Sequence, residues 1–344
     1  MTVTSEPATD THTGAGLSVP FAVTGTGLHL PPTVVTNHDL TRTLDTTDEW
    51  IVARTGIRER RRLAPELATS DMCLAAARPA LHAAGLAAAD LDAVIVATYT
   101  YDQPLPSTSL IVKDALEATR ALALDVTQAA CASGVHALLL AAHLLQNPSI
   151  GNVLVLAADC ASRVTRPGDR TTEVFFGDAA AAAVLTKNDT HGAGLLSYDL
   201  GSKLSYQVRI PAGGSRLPTS ADTLATGGHY LVMDGRAVWE TATTRLPQSI
   251  TLAARRAGLD PSGVDHYFLH QANINILGET LKALDVPAER APITLDKLGN
   301  TGAAGMFTAL HDAVTHGRLK PGDTYVMSAI GAGFHWGTLC LRHS

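Results

Sequence analysis

Two spacings of apolar residues alternate along the chain. Short continuous apolar runs at Phe21 to Leu30, Leu91 to Thr98, Leu122 to Val126, Val153 to Ala157, Ala180 to Leu185, Tyr267 to Leu269, Tyr325 to Ile330 and Thr338 to Arg342 predict strands. Runs such as LDAVIVAT are apolar on both faces, as in strands covered on both sides. Between them, Met72 to Gly85, Thr108 to Leu116 and Ile276 to Leu284 have helical spacing. Val135 to Leu145 has too few polar residues to show a solvent face, which predicts a buried helix. Strands alternating with helices imply an α/β protein with mostly parallel sheets and covering helices.

The pattern also repeats. AAGLAAADLDAVIVA (83–97) and RAGLDPSGVDHYFLH (256–270) each read as a helix end, Ala-Gly-Leu, a turn, an Asp and an apolar strand. A helix, a strand and a turn into a helix follow in both places; in the second half these are a strand around Ile293 and the turn GNTGAAG (299–305), entering a helix through Val314. Two similar βα halves are expected, 19–187 and 188–344, preceded by a flexible polar tail over 1–18. The turn at Cys131 and the GNTG turn then take equivalent, facing places, at the carboxyl ends of strands where ligands bind in such sheets.

Composition narrows the function. With 344 residues, 46% of them hydrophobic and 17% charged, the chain can bury a large core. A net charge of −6 provides no basic footprint for nucleic acid. The first 18 residues lack a basic start followed by an apolar core, and no apolar run reaches membrane-spanning length. Cys73, Cys131, Cys160 and Cys340 are scattered without a CxxC pair, which points to reduced thiols in a soluble cytoplasmic protein.

Three positions carry candidate chemistry. Cys131 lies among small residues just before the buried helix, where unpaired backbone N–H groups and the macrodipole favour a thiolate. A buried structural cysteine is the commoner fate of a free thiol, so Cys131 needs partners. His270, at a strand end, and Asn300, in the GNTG turn, supply an imidazole and an amide, a set suited to acyl transfer through a thioester. Arg54, Arg58, Arg60, Arg61 and Arg62 form a basic cluster near Trp50, either a solvated face or a site for phosphates beside a stacked base. His266 and His270 have HxxxH spacing, but the intervening YFL reads as strand and no further ligand completes a metal site, so none is expected. His136 and His143 read as packed histidines, Gly25 and Gly331 as tight-turn glycines, and Trp336 as a core aromatic.

Six motifs together resemble β-ketoacyl-acyl-carrier-protein synthase III, of the thiolase-fold condensing enzymes, over everything after residue 18. They are DEWIVARTGIRERR (48–61), the Cys131 turn, FGDAAAA (176–182), HQAN (270–273), GNTGAA (299–304) and GAGFHWG (331–337). The resemblance implies a layered α/β/α/β/α sandwich, an acyl-CoA substrate and no cofactor. It implies acyl transfer to Cys131, then decarboxylative Claisen condensation with a malonyl-type thioester held by His270 and Asn300. The backbone N–H groups of Cys131 and Ala332 would form the oxyanion hole. Trp50 and Arg170 match the pair around the CoA adenine, Arg54 lies by its phosphates, and Asn273 and Trp239 lie near the pantetheine arm. A homodimer is implied, each subunit helping to close the other's pocket.

Some positions depart from the family pattern. Asn275 and Glu240 stand where members that dock a carrier protein present basic residues, although Lys282 remains. Exchanging positive for negative charge weakens docking of an acidic carrier protein. Gly302 replaces the serine of GNTS and is expected to widen the space beside Asn300. Leu105 stands where users of small primers carry a larger aromatic ring in the acyl pocket, so an acyl group other than acetyl is expected. Transfer from Cys131 to an alcohol or amine without condensation is the alternative; the altered docking positions and Gly302 favour it, and the retained Asn300 favours condensation.

Overall fold

The computed structural model describes residues 11–127 and 129–344. Its strands are β1 (Thr11–Ala15), β2 (Phe21–His29), β3 (Thr33–Thr36), β4 (Glu59–Arg62), β5 (Ala93–Ala97), β6 (Leu122–Val126), β7 (Asn152–Cys160), β8 (Asp178–Lys187), β9 (Gly194–Ser202), β10 (Val208–Arg209), β11 (Val232–Met233), β12 (His266–Leu269), β13 (Thr324–Gly331) and β14 (His335–Arg342). The helices are α1 (Asn37–Leu40), α2 (Asp48–Thr55), α3 (Thr69–Ala84), α4 (Thr108–Ala115), α5 (Ser133–Leu144), α6 (Ala221–Ala225), α7 (Gly235–Arg256), α8 (Ile274–Ala283), α9 (Leu295–Leu298) and α10 (Gly305–Thr315).

Two five-stranded sheets form, in the orders β2-β8-β7-β5-β6 and β1-β9-β14-β13-β12. The alternation of side chains along each strand feeds two cores at once. Ala93, Ile95 and Ala97 of β5 join a central core with Tyr325, Met327 and Ala329 of β13 and with α5 and α10. Val94 and Val96 turn the other way, onto α3. Tyr267 and Leu269 of β12 turn outward onto α7 and α8. The layers are therefore α3 and α4, sheet, α5 and α10, sheet, α7 and α8. Val135, Leu138 and Leu139 of α5 are all buried, as expected of a helix without a polar face. At Gly134 a Cβ would stand 2.8 Å from Met306 and Phe307 side-chain atoms, so this residue brings α5 against α10.

Several sequence expectations are corrected here. The sheets are mixed: only β5–β6, β5–β7 and β12–β13 pair parallel, because β8, β14 and β1 enter antiparallel. No strand forms around Ile293; Pro292 offers no N–H there and α9 starts at Leu295, so the second sheet lacks its counterpart of β6. Thr11–Ala15, placed in the tail from sequence, pairs with β9, while residues 1–10 of that tail lie outside the described residues. Gly25 lies in the middle of β2 rather than in a turn: a Cβ would meet the Ala80 carbonyl oxygen at 2.2 Å, so α3 packs directly on the strand backbone.

Candidate active site

Cys131 lies on a single turn of 3-10 helix, Ala130–Ala132, between β6 and α5. Ala130 holds a φ of 47°, an unfavourable value for a side-chain-bearing residue, which turns the chain sharply ahead of the cysteine. Gly331 of β13 passes so close that a Cβ would stand 2.1 Å from the Ala129 carbonyl oxygen and 3.0 Å from the Cys131 nitrogen. That contact brings Ala332 alongside the Cys131 turn.

His270 follows the last residue of β12 and extends its pairing, donating its N–H to the Ser328 carbonyl at 2.8 Å. Asn300 reaches across from the second half to the first: its N–H donates to the Phe175 carbonyl at 2.7 Å and its carbonyl accepts from the Gly177 N–H at 3.0 Å. Its side-chain oxygen accepts from the Gly302 N–H at 3.0 Å. A backbone N–H can only donate, so the amide orientation is fixed and its NH2 group is left as the outward donor.

Cys131, His270 and Asn300 line one cavity of about 390 Å³. Its remaining wall is mostly apolar and includes Phe176, Leu231, Met233, Leu246 and Phe334. His270 and Asn300 are buried, and Cys131 is partly open to the cavity. Burial lowers the His270 pKa to about 4, so its imidazole is neutral. Burial, reinforced by the charge of Asp159, pushes the Cys131 thiol well above its ordinary range, which corrects the expected thiolate. Cys131 precedes the N-cap of α5, Ala132, by one residue, and desolvation still outweighs any pull of the helix end.

Trp50, Arg54, Arg170 and Asn273 do not line the cavity; the Arg170 guanidinium stacks over Trp50 at 5.2 Å and donates to the Asp45 carbonyl. Arg54, near the end of α2, is exposed. The rest of the basic cluster divides. Arg60 is fully buried and donates to Asn37 Oδ1 and to the Val174 carbonyl, and Arg62 pairs with Glu173 at 2.9 Å, so neither is free for phosphate. Asn273 caps α8 through the Asn275 N–H and donates to the Arg54 carbonyl at 2.9 Å, so its amide is committed to joining α8 and α2. Trp239 is exposed and absent from the cavity wall, which its neighbour Val238 lines instead. Leu105 is 85% exposed and does not line this chain's cavity. Glu240 pairs with Arg236. His266 pairs with Asp323, apart from the cavity, and His136 Nδ1 donates locally to the Ala132 carbonyl. No cluster of three or more potential metal ligands occurs among the described residues.

Gly302 does not open space as expected. A Cβ there would stand 2.1 Å from Asp159 Oδ2 and 2.9 Å from Tyr99 Cε1, so the volume is already filled. Sequence reasoning missed Asp159. The available signal was a lone carboxylate within the otherwise apolar run VLVLAADC.

Family profiles for 3-oxoacyl-[acyl-carrier-protein] synthase III match residues 124–204, and for its C-terminal region residues 254–343. A β-ketoacyl-[acyl-carrier-protein] synthase III from Symbiobacterium thermophilum is 41% identical over 94% of this chain and 98% of its own. The crystal structure of 3-oxoacyl-[acyl-carrier-protein] synthase III from Aquifex aeolicus superposes with a TM-score of 0.86 at 34% identity, covering 94% of this chain and all of that one. The priming β-ketosynthase of the R1128 polyketide pathway superposes with a TM-score of 0.86 at 31% identity, covering 95% and 98%. The five layers define a thiolase-fold enzyme of the acyltransferase class. The chain belongs to the β-ketoacyl-[acyl-carrier-protein] synthase III family.

Proposed function

We propose that Cys131 takes an acyl group from acyl-CoA and that the acyl-enzyme condenses with a malonyl-type thioester. The observation that carries this reading is the meeting of Cys131, His270 and Asn300 in one cavity. In the first half-reaction the Cys131 sulfur attacks the thioester carbonyl as its proton passes to neutral His270. The tetrahedral oxyanion faces the N–H groups of Cys131 and Ala332, and collapse expels the CoA thiolate, which recovers the proton. In the second, the Asn300 NH2 and the His270 N–H hold the malonyl thioester oxygen. Loss of CO2 leaves an enolate whose carbon attacks the acyl carbonyl and expels the Cys131 sulfur, which regains a proton.

The imidazole must therefore accept a proton in one step and donate a hydrogen bond in the other. Its Nδ1 is buried without a hydrogen-bond partner among the described residues, so none of these locks one tautomer. Trp50, Arg170 and exposed Arg54 are assigned to the CoA nucleotide, and Asn273 acts on it by holding α2. The mostly apolar cavity suits an acyl group larger than acetyl. Arg236 offsets Glu240 in part, so a carrier protein remains a partner on this reading, with docking weakened at Asn275 and Glu240. The unpaired cysteines agree with a cytoplasmic location, and no helix among the described residues is long and apolar enough to cross a membrane.

The test is to load the enzyme from a panel of acyl-CoAs, weigh it intact, and challenge it with malonyl thioester. Mass on Cys131 followed by released CO2 is expected, with butyryl-CoA outcompeting acetyl-CoA. Replacing Asn300 by Ala should reduce CO2 release about a hundredfold or more while acylation persists. An ester or amide formed from an added alcohol or amine without CO2 would identify simple transfer instead.

A further inference from the structure

Where the two halves meet behind Asn300, Asp159 has no exposed surface and appears in no ion pair among the described residues. Its Oδ1 accepts from Thr98 Oγ1 at 2.9 Å, the Tyr99 N–H at 2.9 Å, the Thr100 N–H at 3.3 Å and Thr100 Oγ1 at 3.1 Å. Its Oδ2 accepts from the Ala303 N–H at 2.7 Å. One oxygen is thus anchored just beyond β5, in the half that carries Cys131, and the other holds the turn that carries Asn300. Gly302 permits this approach, since any side chain there would collide with Oδ2.

Two successive N–H groups of the turn are held in different ways: Gly302 by the Asn300 side chain itself, and Ala303 by Asp159. The first bond orients the Asn300 amide, and the second fixes the backbone on which that bond depends. We propose that Asp159 is a positioning residue for condensation, clamping the GNTG turn so that Asn300 presents its NH2 group to the malonyl thioester. This rests on the function proposed above. The carboxylate is poorly solvated, with a pKa raised to about 7, and its charge disfavours the Cys131 thiolate. The same group therefore aids the second half-reaction and opposes ionisation in the first, which a purely structural residue would not do.

Asp159→Asn separates these effects. The amide is isosteric but has one acceptor oxygen, and the several donors beyond β5 outcompete the single Ala303 N–H for it. The NH2 group then faces the Ala303 N–H, donor against donor, and the turn is released while the sheet contacts stay. With butyryl-CoA as acyl donor and malonyl-CoA as extender, the variant should acylate Cys131 at least as fast as wild type. It should release CO2 about a hundredfold more slowly. Equal loss of both half-reactions, or full CO2 release, overturns the proposal while leaving the condensing function intact, provided wild type performs both. If wild type forms no Cys131 adduct, the function and the proposal fall together. Asp159→Ala, which leaves every donor unpaired, should lower the melting temperature more than Asp159→Asn, which leaves unpaired only the Ala303 N–H and its own NH2 group; equal melting losses in both variants would also count against a positioning role.

Discussion

At the scale of single residues, burial decides the resting state of the site. Cys131 and His270 are both neutral before substrate arrives, a thiol and an imidazole rather than an ion pair, because each charge would be desolvated. In the mechanism proposed above, the proton therefore moves only as the sulfur attacks. Free enzyme should react slowly with iodoacetamide at about neutral pH, its rate still climbing with pH well past the range where an ordinary cysteine levels off. A plateau at about pH 6 would show a preformed thiolate and contradict this picture. His270 also carries a stability signature. Its folded pKa of about 4 lies below the ordinary 6.5 of an imidazole in water, so the unfolded chain binds the proton more readily. The native state keeps this contribution above about pH 6.5 and loses it as pH falls toward about 4, by up to roughly 3 kcal/mol. Denaturant titrations of wild type and His270→Gln across that window should diverge by a difference of this sign; parallel curves would mean the imidazole is better solvated than its burial indicates.

At the scale of elements, a pair of asparagines links α8 to α2, which carries the Trp50 and Arg54 proposed to hold the CoA nucleotide. Asn273 and Asn275 both donate to the carboxyl end of α2, at Arg54 and, for Asn275, also at Ala53. Asn275 thus caps a helix end in place of offering charge to a partner. Asn275→Ala should raise the KM for acyl-CoA severalfold through a loosened Trp50 and Arg54, with kcat for the loaded enzyme nearly unchanged. A change confined to carrier-protein affinity would place its role in docking instead. The strands, the buried helix and the meeting of Cys131, His270 and Asn300 in one cavity were legible from sequence because apolar periodicity and motif spacing are local properties. Features set by tertiary approach were not. Arg60 reads as one of five surface arginines, yet its guanidinium is buried against main-chain carbonyls 25 and 114 residues away. Gly302 reads as a gap, yet Asp159, brought in by β7, fills it. The antiparallel entry of β8 and β14 leaves no local trace, since the direction of an apolar strand cannot be read from its composition.

At the scale of the molecule, one edge strand carries exposed apolar side chains. Among the described residues β6 pairs with β5 alone, and Leu122 on it is 50% exposed although every residue of β5 is buried. Exposed Leu105, Leu110 and Tyr101 belong to the nearby segment and to α4, which packs on β5 and β6. Unpaired backbone donors and acceptors beside exposed apolar side chains invite pairing with a second strand. In the homodimer the sequence resemblance implies, that strand is expected to be β6 of a second copy, extending the sheet across the two subunits. Such pairing would carry the loop bearing exposed Leu105 toward the second subunit, where it would help to close the neighbouring cavity. Leu122→Arg places a charge on the pairing edge without touching the Cys131 cavity. Sedimentation velocity should find wild type dimeric and the variant monomeric. Cys131 in the monomer should lose discrimination among acyl-CoAs of different length while still forming an adduct. A variant that remains dimeric with unchanged acyl preference would move the interface elsewhere and leave Leu105 as an ordinary surface residue.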